Sequence, residues 1–500
     1  MSKAKFWAFV MVMALIVFAS VNSGCGGSSS NNISQNNNGN TITSDDQSGN
    51  NNTNNNNTNN NNTTSNDQSG NNNSNNTDNN ANTNNNNTTS NDQSGNNSNT
   101  NTNNNTTSND QFGNTNTNTN GNTTTGESYE STSANSNAIS LTDGTSATYS
   151  NITVTKTGDA TGSSDGTSGY DWVGTNAAIL ASGGSKLTIT GATITTNAKG
   201  GNAVFSYGGS RSGSGDGTTI TISNSTITTS ASNSGGIMTT GGGVMNASNL
   251  TITTSSGSSA AICSDSGGGT VTVNGGTYTA NGQGSPAIYS TAAISVTDAD
   301  LTSGIAQVVV IEGGNSVTLD DCTLDAHHTT KNGQDSTYQA VLIYQSMSGD
   351  ASDGASSFTM TDGSLTNANG DIFCVTNTTT TINLSGATIT NNDSSGNFLR
   401  AEGQNWGGSS NGGKVTLNAS GQDISGNMIV DSLSSLALNL KDSSAFSGAI
   451  NTTGQAGTVN VTIESGSTWT LTGNSYVSSL SNSGTINKGS YTLYVNGTAQ

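Results

Sequence analysis

Leu187-Thr188-Ile189-Thr190-Gly191-Ala192-Thr193-Ile194-Thr195-Thr196 sets apolar side chains at i, i+2 and i+7 around a glycine, and Ile220-Thr221-Ile222-Ser223-Asn224-Ser225-Thr226-Ile227-Thr228-Thr229 repeats the arrangement. A spacing of two describes a strand with one buried face, and no helical period fits it. The same triplet returns as Val271/Val273/Tyr278, Ile294/Val296/Leu301, Val317/Leu319/Leu324, Phe358/Met360/Leu365 and Ile382/Leu384/Ile389. The jump of five residues inside each triplet is filled by a turn whose middle residue tolerates left-handed backbone: Gly191, Asn224, Gly275, Asp298, Asp321, Asp362 or Gly386. A small residue follows it each time, from Ala192 to Ala387, as expected where a chain turns a corner against a stacked neighbour.

Each repeat also opens with a further short strand, marked by Ile179, Val204, Ile237, Ile262, Ile288, Val308, Val341, Ile372, Phe398 and Met428, at separations of 20 to 33 residues. Short strands in every period, with Pro286 the single proline, specify a solenoid whose coils bury their apolar faces only by stacking. The expectation is an all-β, right-handed parallel β-helix of roughly a dozen coils over 131–500, about 60 Å long at roughly 4.8 Å per coil. The coil holding Ile237, Leu250 and Ile252 fits in part. After Phe398 the spacing loosens while alternation persists, as in Val415/Leu417 and Leu436/Leu438/Leu440.

The pattern from Ser136 onward resembles the pectate-lyase-like right-handed β-helix family. Trp469, Leu471, Asn474, Ser475, Leu480, Gly484 and Leu493 resemble the last passenger coils of bacterial autotransporter adhesins. At the other end, Lys3 and Lys5 precede an apolar run from Phe6 to Val21 and the small residues Ser23 and Gly24 before Cys25. That order is the order of a cleaved export signal, and the cysteine resembles that of a bacterial lipobox. Asn22 departs from the lipobox pattern, where an aliphatic residue is usual. The resemblance implies a signal peptide over 1–24, lipidation at Cys25 as the only membrane anchor, and an exported protein at the outer membrane or cell surface.

Between these parts, 25–130 is rich in asparagine, threonine and serine and nearly devoid of apolar side chains, so it cannot offset chain entropy by burial. It reads as a disordered tether; a coil of about 100 residues has a typical end-to-end distance of roughly 50–60 Å. The net charge of −20, carried by 8% charged residues, argues against nucleic acid as a partner. With Cys25 assigned to the lipid, Cys263, Cys322 and Cys374 are odd in number and read as small core residues.

Four features carry candidate chemistry. Asp320-Asp321-Cys322-Thr323-Leu324-Asp325-Ala326-His327-His328 holds both histidines, and since Asp321 and Cys322 are already used by the turn, Asp320, Asp325, His327 and His328 remain as metal or sugar-hydrolysis candidates. Galacturonan hydrolases of the resembled family use an Asn-x-Asp segment, matched loosely by Asn369-Gly370-Asp371 and Asn391-Asn392-Asp393, but also a Gly-His-Gly segment that this chain lacks. Lyases of the family use an arginine or lysine base beside calcium-binding carboxylates; Arg400 lies at a strand position, and the acidic loops 159–171 and 350–353 are calcium candidates without regular ligand spacing.

Threonine pairs flanking the third apolar position, Thr193/Thr195, Thr226/Thr228, Thr277/Thr279 and Thr388/Thr390, form outward ladders of the kind seen in ice-binding solenoids, interrupted at Asp300, Asp325 and Ser364. Finally, alternation points Leu180, Phe205, Met238, Cys263, Tyr289, Val309, Leu342, Phe373 and Leu399 outward as an apolar stripe, of which Phe205, Tyr289, Leu342 and Phe373 are the binding candidates, unless loops cover them.

The reading that follows is a noncatalytic adhesin or polysaccharide-binding protein whose partner is polysaccharide or another cell's surface. A carbohydrate-active enzyme on acidic polysaccharide and an ice-binding solenoid are the alternatives.

Overall fold

The computed structural model describes residues 123–164, 169–407 and 411–500. The signal segment 1–24, Cys25 and the tether up to residue 122 lie outside the described residues. The first coil begins earlier than expected: Thr123–Thr125 pairs with Ser146–Ser150, and Ser128–Ser131 with Thr153–Lys156, so 123–130 belong to the solenoid.

The domain is a parallel β-helix. One face is an eleven-stranded parallel sheet that runs from Ile139–Leu141 through Val204–Tyr207 and Gln339–Tyr344 to Met428–Val430. The other two faces form one sheet of 21 strands that bends within each coil as far as Thr388–Asn391; from Asp423–Ser425 onward the face after the bend is a separate sheet of four strands, continued by Ala445–Ser447, Thr468–Thr470 and Thr485–Asn487. Strand Lys186–Thr190 lies before that bend and Thr193–Thr196 after it. The bend is where left-handed backbone was expected: Gly191, Asn224, Gly275, Asp298, Asp321, Asp362 and Gly386 have φ between 49° and 68°. Asn249 fills the column between Asn224 and Gly275, and Asn151, Gly421 and Asp442 extend it at its two ends.

Like residues stack over like. Ile220 pairs with Leu187 and Met245, Ile222 with Ile189 and Ala247, and Ile227 with Ile194 and Ile252. The coil that fitted only in part therefore obeys the full pattern as Met245/Ala247/Ile252; Ala247 is too weak a signal to see alone. Leu417/Ala419/Ile424 obeys it as well, in register with Ile382 and Leu384 on the first face. In the next two coils Leu438/Leu440 and Val461/Ile463 continue the columns, but Phe446 and Trp469 arrive one residue later. Asp442 and Ser443 are both left-handed there, so the loosened spacing is a one-residue-longer turn.

Three opening positions shift by one. The residue in register with Ile288 is Val309, and the residues following Val341 are Phe373 and Leu399, in place of Val308, Ile372 and Phe398. One contiguous core runs from Tyr129 to Leu493 and holds edge-to-face contacts between Phe358, Phe373 and Phe398 and a stack of Phe446 on Trp469. Each buried aliphatic side chain is worth about 1.5–3 kcal/mol, but only when the next coil covers it. At the carboxy end Thr498–Ala499 turns back antiparallel onto Leu493–Val495. Among the described residues no helix is long and apolar enough to cross a membrane.

Candidate functional surface

The Asp320–His328 segment is taken apart by strand alternation. Leu324 and Ala326 point into the core, so Asp325 and His327 point out, and His327 Nε2 meets Asp325 Oδ2 at 3.0 Å with both side chains half-exposed. Such a pair contributes little. Asp320 is exposed on the far side of the left-handed Asp321. His328, beyond the strand end, is fully buried: its Nδ1 lies 3.0 Å from the Gln339 nitrogen and 3.1 Å from the Gln339 carbonyl oxygen, and its Nε2 stands 3.9 Å from Asp335 Oδ2. Burial pushes His328 down to about 4 and Asp335 up to about 6, the latter against hydrogen bonds from Gln307 and Trp406. Asp320, Asp325, His327 and His328 are thus not brought together as one site. Among the described residues no group of three or more His, Cys, Asp or Glu is arranged to hold a metal.

The apolar stripe is not a surface. Leu180, Phe205, Met238, Cys263, Tyr289 and Leu342 do lie outside the eleven-stranded sheet, but they form a second buried core with Val310, Cys374 and Trp406. Phe205, Tyr289 and Leu342 are no more than 2% exposed, and Phe373 faces the main core through the one-residue shift already noted. The covers are inserted loops. Trp172 donates to the Ser266 carbonyl and accepts from Thr240 on its own carbonyl, while Trp406 packs edge-on against Tyr344 at 4.6 Å. Under this cover Glu312 accepts from Tyr289 Oη at 2.5 Å and Tyr344 Oη at 2.9 Å; burial and the Glu312 charge hold Tyr289 well above its ordinary value. Tryptophans set in loops of so polar a chain are the signal that could have revealed the cover.

Arg400 also lies outside this sheet, but it is clamped. Its Nε donates to Asp371 Oδ2 at 2.5 Å and its Nη1 to Glu402 Oε2 at 3.1 Å. Burial opposes the guanidinium charge, yet these hydrogen bonds and charges outweigh it and raise the Arg400 value, the wrong direction for a base. Both Asn-x-Asp segments are spent on turns: Asp371 caps Asn397 N at 2.7 Å, and Asp393 caps Gly370 N at 2.8 Å. In the acidic loops Asp159 accepts from Lys199 N and Asp353 from the Gln345 amide.

The faces of the 21-stranded sheet remain open to solvent. After the bend, one outward column runs Thr153, Thr193, Thr226, Thr251, Thr277, Asp300, Thr323, Ser364, Thr388, each paired in register with the next. The column beside it runs Thr155, Thr195, Thr228, Thr253, Thr279, Thr302, Asp325, Thr366, Thr390. All eighteen positions are exposed or half-exposed. Thr153/Thr155 and Thr251/Thr253 extend the four pairs recognised from sequence. Before the bend, side-chain amides bond from coil to coil: Asn383 to Thr359 at 3.2 Å, Asn418 to Asn383 at 2.9 Å and Asn439 to Asn418 at 2.9 Å. Together these are fixed rows of hydroxyl and amide groups at roughly 4.8 Å intervals, almost without charge.

No protein-family model, no curated protein and no solved structure matches this chain.

Proposed function

We propose that this protein is a noncatalytic, lipid-anchored cell-surface β-helix that binds polysaccharide, free or on another cell, through the open faces of its large sheet. The observation that carries the reading is the pair of threonine columns from Thr153/Thr155 to Thr388/Thr390, a rigid repeat of neutral donors and acceptors matched in kind to a repeating chain of sugar hydroxyls. The chain's net charge of −20 disfavours acidic polymers relative to neutral ones. The test is co-sedimentation with insoluble neutral polysaccharides. Thr195→Asp with Thr228→Asp should abolish retention by desolvating an unpaired carboxylate pair against the ligand. Turnover of an acidic polysaccharide, lost on changing Asp320 or His327, would replace this reading with the enzymatic one. Protease accessibility of the solenoid on intact cells tests the display.

The same two columns, flat, parallel and in register, favour a second reading, binding to the ordered surface of ice. Inhibition of ice recrystallisation by the native chain but not by the same double variant is its expected result.

A further inference from the structure

The ladder after the bend breaks at one place. Strand Thr388–Asn391 pairs with Ser364–Asn367 behind it, and Asp423–Ser425 pairs with Ala445–Ser447 ahead of it, but no ladder joins the two to each other. The coils themselves stay in register, since Leu384 still pairs with Ala419 and Ser385 with Ser420 just before the bend. The cause is the corner residue. Where other coils place Ala, Ser, Gly or Cys, this one has Gln422, and its buried side chain turns back between the coils. Its Oε1 accepts the Ala387 N–H at 2.9 Å and its Nε2 donates to the Ala387 carbonyl at 2.7 Å, so a side-chain amide stands where a backbone ladder would start. Leu250 and Ile152 are also large corner residues, but they are apolar and join the core.

Beyond this wedge lies a cleft of about 520 Å³, within the range of small-ligand sites. Ile389 is only half-buried in its wall, although the residues of its column from Ile194 to Leu365 are fully buried. Thr388, Asp423, Ser425 and Ser447 supply hydroxyls and one carboxylate, and no cationic side chain lines the cleft. Alternation directs the backbone groups of Ile389 forward and those of Asp423 and Ser425 backward into the gap. A peptide strand would need its two walls two ladder spacings apart, whereas the Gln422 amide already spans the step at its closed end.

From this we infer that the Gln422 wedge creates a binding cleft for one ring of a neutral glycan, its C–H face on Ile389 and its hydroxyls on Thr388, Asp423, Ser425 and Ser447. The inference rests on the polysaccharide-binding reading and gives it a discrete subsite. Ser at the corner is already used elsewhere, Ser225 Oγ accepting Ala192 N and Ser444 Oγ accepting Gln422 N, each at 3.0 Å, so Gln422→Ser should let the ladder close. The experiment is calorimetric titration of the full chain with cellohexaose, xylohexaose and maltohexaose, with hexagalacturonate as the charged comparator. Hydrogen exchange at Ile389 is the structural readout. At least one neutral hexasaccharide should bind, and at least tenfold more weakly to Gln422→Ser and to Ser447→Trp. Exchange at Ile389 should slow in Gln422→Ser; an unchanged rate overturns the wedge. Hexasaccharide binding untouched by both cleft variants, preference for hexagalacturonate, or binding to insoluble polysaccharide alone each overturns the cleft while leaving the broader reading intact. Failure to bind hexasaccharide and polysaccharide alike overturns both.

Discussion

Gly191 and Asn224 occupy the same left-handed position in successive coils, one because it has no Cβ and the other because its short amide tolerates the conformation. The two are not interchangeable with larger residues. A Cβ at Gly191 would stand 2.4 Å from Asn151 Oδ1, so Gly191→Val combines backbone strain of about 1–2 kcal/mol with a clash and should lower the thermal midpoint by several degrees. Thr190→Val, its neighbour on the outer face, should leave the midpoint nearly unchanged. The buried His328 and Asp335 give a second test, in which their protonation terms oppose one another. His328, lowered from 6.5 to about 4, contributes stability that is lost as pH falls through that window. Asp335, raised from 3.8 to about 6, contributes stability that is lost as pH rises between those values. Between pH 4 and 6 the native chain should therefore be nearly flat in stability. Asp335→Asn should leave a loss on acidification and His328→Gln a loss on alkalinisation, each on the order of 3 kcal/mol at about 1.4 kcal/mol per pKa unit, read by urea denaturation at stepped pH.

Strand by strand, the columns that face the main core were readable because most inward residues are large and apolar and alternate with polar ones. The turn column was readable because few residues accept its backbone angles. Alternation also stated correctly that Phe205 and Tyr289 point away from the main core, but it is blind to what an inserted loop brings over them. Trp172 and Trp406 arrive from loops whose length has no period, so alternation alone leaves the stripe either an open surface or a loop-covered minor core, and the structure shows the second. The one-residue shifts at Val309, Phe373 and Leu399 escaped for a related reason: Val308-Val309-Val310 and Ile372-Phe373 are apolar at consecutive positions, leaving alternation nothing to choose between. Phe205→Ala separates the two meanings of the stripe. As a core residue it should cost about 3–5 kcal/mol of stability and leave polysaccharide retention unchanged, measured by denaturation and co-sedimentation on the same preparation. The histidine segment was legible as chemistry but not as geometry, because the strand ends at Ala326 and the chain beyond it sends His327 and His328 to opposite environments.

A solenoid stands or falls by its ends, since a terminal coil exposes unpaired backbone along its whole edge. Here Thr498–Ala499 folds back on Leu493–Val495, Gln500 N donates to the Leu493 carbonyl at 2.9 Å, and Tyr494 stacks on Tyr476 at 4.5 Å. Removing 496–500 should leave the fold intact by circular dichroism but produce dimers or larger species by size-exclusion chromatography with light scattering. A truncated chain that stays monomeric at high concentration would show that this hairpin is not the cap. The amino-terminal boundary was placed at 131 because Thr123–Thr125 lacks apolar side chains; it joins the sheet through backbone pairing with Thr148–Ser150, which leaves no mark in hydropathy.

The register that stacks Ile220 between Leu187 and Met245 ties the strands of each rung to its two neighbours, and only inserted loops such as those of Trp172 and Trp406 reach farther. A stretch of gene encoding one complete rung away from those loops, cut or copied at equivalent bends, would splice in without asking any distant residue to adapt. Length is thus the trait this architecture can inherit most freely, and strains could differ in the number of rungs while each keeps the same threonine rows.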